Sequence, residues 1–100
     1  MKIEDIGQLV VTKGIDELMV RDSRFSQFIH KSLGRYIKED WSDLPFADKD
    51  ANDLAVINKN DRLLAAYDIQ KNGWDLYDRK IWIMTDADFT YTTIMFPSEY

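Results

Sequence analysis

The sequence predicts a small α+β domain covering residues 1–100, built as an antiparallel sheet of about four strands with two main helices packed on one face. Three observations carry that expectation. Apolar residues between 25 and 37 recur at three- and four-residue intervals, the period of a helix with one buried face. Three runs rich in β-branched and aromatic residues, at 63–69, 80–85 and 91–96, follow one another with turn signals between them. The composition, 45% hydrophobic and 31% charged with four glycines and two prolines, is that of a folded chain. A chain of this length typically buries roughly two-thirds of its extended surface, enough for one core.

The elements follow in order. Ile6 to Thr12 (IGQLVVT) is a strand that closes on the Lys13-Gly14 turn signal. Residues 15 to 21 (IDELMVR) read as a short helical turn leading into the first long helix. In that helix Phe25, Phe28, Ile29, Leu33, Tyr36 and Ile37 share a face. Asp22 or Ser23 caps its start by accepting a free N–H, and Lys38 suits its negative pole. Gly34 costs about 1 kcal/mol relative to alanine and marks either close packing or an early end. A second helix is expected from about Pro45 to Asn58, proline being welcome in a first turn because it has no N–H to leave unsatisfied. Its stripe is Ala47, Ala51, Leu54, Ala55 and Asn58, with Phe46 and Ile57 beside it. Leu63 to Ile69, Lys80 to Thr85 and Tyr91 to Phe96 are strands, joined by an Asn72-Gly73 turn and an Asp86-Ala87-Asp88 turn. In the second of these, Ile81 and Ile83 make an aliphatic face while Trp82 lies on the other. The order β-α-α-β-β-β makes the last three strands an antiparallel meander. The first strand can join either edge or pair centrally.

Several chemistries are excluded. The chain has no cysteine, hence no disulfide, thiolate metal site or cysteine nucleophile, and its one histidine rules out a site with several imidazole ligands. His30 has no Gly-x-Ser-x-Gly nucleophile near it in sequence and reads as a boundary residue. The glycines at 7, 14, 34 and 73 are isolated, so no phosphate loop is present. No segment resembles a secretory signal or a membrane span, and cytoplasmic localisation is the expectation. A net charge of −5 opposes non-specific binding to nucleic acid or anionic lipid. Arg24, Lys31, Arg35 and Lys38 form a basic stripe on the first helix that either touches phosphate or, as expected here, is solvated and pairs with the acids that follow.

Those acids are the conspicuous feature. Residues 40–53, DWSDLPFADKDAND, hold five aspartates. Asp48, Asp50 and Asn52 match the opening of a calcium-binding EF-hand loop. That loop needs glycine at its sixth position and glutamate at its twelfth, where this chain has Asp53 and Lys59. A looser magnesium or manganese site could draw on Asp40, Asp43, Asp86 and Asp88. The simpler expectation is that aspartates here serve a helix N-terminus, with no metal and no cofactor. Asn52 and Asp53 sit too deep in their helix to cap it. They either face solvent or reach across to hold a neighbouring loop. Trp41 is a core plug or a recognition surface. The Asp-Ala-Asp tip braces its own turn or presents a ligand site.

The C-terminal run KIWIMTDADFTYTTIMFPSEY, together with GQLVVTKG, DWSD, the Ala-Asn-Asp triplet and RLLAAY, resembles small bacterial proteins carried by plasmids and conjugative transposons, described as plasmid-related proteins. The resemblance implies a mobile-element habitat and implies no catalytic residue. The expected function is therefore a non-enzymatic accessory protein that binds a macromolecule, another protein in the first instance, through Asp40, Trp41, Asp43, Asn52, Asp86 and Asp88. Two alternatives stand beside it. One is an inhibitor of host restriction or defence enzymes whose carboxylates mimic DNA phosphates. The other is a carboxylate-metal-dependent hydrolase.

Overall fold

The computed structural model describes residues 1–41, 46–58, 61–69 and 79–100. A 3-10 turn at Ile3–Ile6 leads into β1 (Gln8–Val11), followed by α1 (Lys13–Arg21), α2 (Ser23–Ile37) and α3 (Phe46–Asn58). Then come β2 (Leu63–Asp68), β3 (Lys80–Thr85), β4 (Tyr91–Met95) and a closing 3-10 turn at Pro97–Glu99. The Cα radius of gyration is 13.0 Å, the value of about 13 Å expected of a compact 100-residue chain.

The predicted α+β fold and its β-α-α-β-β-β order are present, with one correction to the sheet. The strand order is β1-β4-β3-β2. β2, β3 and β4 form the expected antiparallel meander, but β1 runs parallel to β4, so the sheet is mixed. The reason is Gly7. It adopts φ 68° and brings the chain against the turn that feeds β4, where the Gln8 N–H donates to the Thr90 carbonyl at 2.9 Å. Both strands therefore start from the same end of the sheet. The Asn72-Gly73 turn lies outside the described residues.

Strand alternation builds the core. Leu63, Ala65, Tyr67, Ile81, Ile83 and Ile94 are buried on one face and meet Phe25, Phe28, Ile29 and Tyr36 of α2, with Ile15 of α1 and Ala55 of α3. On the opposite face Trp82 is half-buried and its ring meets Tyr100 edge-on at 5.8 Å.

Asp22 joins the first two helices. Its backbone N–H donates to Leu18 O, ending α1, and its carboxylate accepts from the N–H groups of Arg24 and Phe25, starting α2. The expected helical turn at 15–21 is thus a full helix of nine residues. Gly34 marks neither close packing nor an early end. Among the described residues nothing outside its own helix lies within 4 Å of where a Cβ would sit, and α2 continues to Ile37. Gly34→Ala is expected to stabilise the fold by about 0.5–1 kcal/mol, read as a rise in the urea midpoint at unchanged slope.

The helix α3 is turned relative to its predicted stripe. Asn52 and Ala55 face inward, whereas Leu54 and Ile57 are 59% and 75% exposed. Apolar patterning failed here because two polar side chains, Asn52 and Asp53, are fixed from within by hydrogen bonds that set the rotation of the helix.

Candidate functional site

The candidate residues fall on two structural units. The first begins where α2 ends. Glu39 takes the left-handed conformation at φ 62°, its N–H donating to Tyr36 O at 3.0 Å and that of Asp40 to Arg35 O at 2.9 Å. This is the paired closure of a Schellman motif, with glutamate at the position glycine usually holds. The chain is thereby reversed over its own helix. The Asp40 carboxylate accepts from Arg35 Nε at 2.9 Å, and the Asp40 carbonyl accepts from the Tyr67 hydroxyl at 2.9 Å. The Arg35 guanidinium also stacks 4.8 Å from the Tyr67 ring centroid. Part of the basic stripe is therefore paired: Arg35 with Asp40, one of the acids that follow, as expected, and Arg24 with Asp22, which precedes the helix.

Trp41 is 3% exposed and Asn52 4% exposed, so neither belongs to a contact surface as the partner-site expectation required. Trp41 is the core plug. Its ring meets Tyr36 edge-on at 5.2 Å, and its indole N–H donates to Asp53 Oδ1 at 2.9 Å. A buried indole needs an acceptor, and a mid-helix aspartate supplies one. Asn52 reaches across to β2, donating through Nδ2 to Leu64 O at 2.7 Å and accepting from Leu64 N at 3.2 Å. Its side-chain amide stands where the backbone of another strand would pair. Asp43 lies outside the described residues, as do the side chains of Asp48 and Asp50.

The second unit is the β3–β4 turn. Asp86 Oδ1 accepts from the N–H groups of Thr90 and Tyr91 at 2.8 and 3.0 Å, and Phe89 turns the chain at φ 58°. Asp88 is exposed, and hydrogen bonding, first from the Thr90 side chain and then with Asp86, holds its carboxyl below the usual value. The tip braces itself. Among the described residues no three His, Asp or Glu side chains come together to hold a metal. His30 is exposed, its Nδ1 2.8 Å from the Ser26 carbonyl oxygen.

Two clusters escaped the sequence reading. Glu99 grips the start of α1: its Oε1 accepts from the Thr12 hydroxyl at 2.6 Å and Phe96 N at 3.0 Å, and its Oε2 from Gly14 N at 2.9 Å. Partial desolvation pushes this carboxyl up, but the three hydrogen bonds outweigh it and leave the carboxyl below its ordinary value. The available signal was the Phe-Pro-Ser-Glu-Tyr ending of the run that carries the resemblance, in which Glu99 had been given no partner. The other cluster is a chain of buried hydroxyls. Tyr36 lies 2.7 Å from Thr85 Oγ1, which lies 2.7 Å from Thr92 Oγ1, which donates to the Ile6 carbonyl at 2.7 Å. Among the described residues no buried side-chain nitrogen or oxygen lacks a partner. Comparison with protein-family models, with curated proteins and with solved structures gives no match.

Proposed function

We propose that this chain is a cytoplasmic accessory protein of a mobile element that acts by binding another protein rather than by catalysing a reaction. The inverted exposure of α3 carries this reading. Asn52 is buried and tied to β2, and Asp53, itself exposed, holds the indole of the buried Trp41, while Ala51, Leu54 and Ile57 lie at the surface at three-residue spacing. With Ala55 and Val56 already packed on the core, this second, exposed apolar row offers a partner a set of anchors. Two further observations support it. Asp22, Asp53, Asp86 and Glu99 all bind groups of this chain's own fold. Within the motif that resembles mobile-element proteins, Asp86, Thr92 and Glu99 have structural partners, which accounts for those residues without a substrate. Asp40, Asp86 and Asp88, exposed wholly or in part, supply the charged part of the contact.

The test is affinity capture from a host carrying the element. The paired variant Leu54→Lys/Ile57→Lys is expected to fold, by circular dichroism, and to lose a specific partner that the parent chain recovers. Recovery of the same partner in equal yield by this variant, and by an Asp40→Ala/Asp86→Ala/Asp88→Ala variant, defeats the proposal.

A further inference from the structure

The two edges of the sheet are treated differently. At the β2 edge, Asn52 occupies both backbone groups of Leu64. At the β1 edge nothing comparable is present among the described residues. Gln8 and Thr12 direct their N–H groups to Thr90 O and Ile94 O of the β4 side, at 2.9 and 3.1 Å. Strand alternation then turns the N–H and C=O groups of Leu9 and Val11 outward. Leu9 and Val10 are 43% and 38% exposed, and the strand Gln-Leu-Val-Val contains none of the lysine, proline or bulge that blunts an open edge.

We propose that β1 is a self-association edge, on which two copies of this chain pair antiparallel about a two-fold axis through Val10 and join their four-stranded sheets into one. Charge selects the occupant and the direction. The strand itself is uncharged, Glu4 and Asp5 precede it in the first 3-10 turn, and exposed Lys13 follows it. With the axis at Val10, Leu9 faces Val11 of the second copy and all four outward backbone groups of the two residues find partners. Lys13 falls opposite Gly7 of the second copy, beside its Glu4–Asp5 turn. Parallel pairing sets acid beside acid and lysine beside lysine. Because each chain carries −5, an uncharged strand with oppositely charged ends is where two copies approach with least repulsion.

Sedimentation velocity of the full chain from about 5 µM to about 1 mM is expected to show a monomer–dimer equilibrium, an interface of this size being weak. Val10→Lys places two ammonium groups opposite one another at the axis and is expected to weaken the dimer by about tenfold or more. Lys13→Glu is expected to weaken it too, and adding Glu4→Lys in the same chain to restore it. The chain has no cysteine, so Val10→Cys gives a clean trap. A non-hydrogen-bonded antiparallel pair has a Cα separation of about 4.5 Å, within disulfide range. It is expected to cross-link under mild oxidation faster than Val20→Cys on the exposed side of α1. Four results overturn the proposal. They are a monomer throughout the concentration range, a dimer indifferent to folded Val10→Lys, a Val10→Cys chain no faster to cross-link than Val20→Cys, or an edge occupied only by an extended segment of a different protein. Should Val10→Lys fail to fold, the cysteine comparison decides alone.

Discussion

Gly7→Ala is expected to remove about 3 kcal/mol or more of stability, a large share of the 5–15 kcal/mol typical of a small domain. Two costs combine. At φ 68° and ψ −148°, Gly7 occupies backbone space that is essentially closed to residues with a Cβ, worth about 1–3 kcal/mol by itself. A Cβ there would also stand 2.2 Å from Thr90 O, 2.5 Å from Thr90 C and 2.6 Å from Phe89 O. All three are backbone atoms, so relief requires β1 to move off β4 and the Gln8–Thr90 hydrogen bond to break. Gly14 and Gly34 provide the contrast. At Gly14 the atoms met belong to the Glu99 carboxylate, at 2.8 Å, which can swing aside at the expense of its grip on α1. At Gly34 none of the described residues is met. Urea unfolding followed by tryptophan fluorescence should therefore rank Gly7→Ala far below Gly14→Ala, and Gly34→Ala above the parent. A loss under about 1 kcal/mol for Gly7→Ala contradicts the close approach, and with it the parallel placement of β1.

Most of the scaffold was legible because burial obeys simple periods. Phe25, Phe28, Ile29 and Tyr36 announce the inner face of α2, and Ile81 and Ile83 that of β3, with Trp82 opposite. The direction of β1 was not legible, since a short apolar strand carries no record of its neighbour. The decisive atom there is a missing Cβ at Gly7. The rotation of α3 was hidden for a different reason. Hydrophobic counting weighs Leu54 and Ile57 over Asn52 and Asp53, yet a side-chain amide satisfying both backbone groups of Leu64 outweighs two exposed aliphatics, because a buried unpaired donor costs about 1–3 kcal/mol. The candidate site divides along the same line. That Asp86 braces its turn follows from the sequence, for the contact spans only a few residues. That Trp41 needs Asp53, or Glu99 the start of α1, depends on separations of 12 and 85 or more residues.

Thr92→Val is expected to destabilise the fold by about 2–3 kcal/mol although it barely changes side-chain shape. The Thr92 hydroxyl donates to the Ile6 carbonyl, so its oxygen is left to accept from Thr85, and Thr85 in turn accepts from Tyr36. Removing the middle of this relay strands a donor at Thr85 and an acceptor at Ile6, both in the core. Tyr36→Phe removes only the terminal donor and leaves Thr85 donating, so about 1 kcal/mol is expected. Thr85→Val/Thr92→Val should cost less than the sum of its parts, since the two hydroxyls share one bond. The relay also predicts a response to alkali. Burial pushes the Tyr36 phenol well above its ordinary value of 10.0, against the smaller opposing effect of its hydrogen bond with Thr85. Below about pH 10 the phenol is protonated in both folded and unfolded chains and contributes no pH dependence. Above it the unfolded chain releases the proton while the folded chain holds it, so stability falls by about 1.4 kcal/mol per pH unit. Urea titrations between about pH 8 and pH 11 should show that slope in the parent chain and its loss in Tyr36→Phe, with both variants read against their own value at neutral pH. Equal slopes would mean that Tyr36 already ionises in the folded state, and a phenolate cannot donate the hydrogen bond that orders the relay.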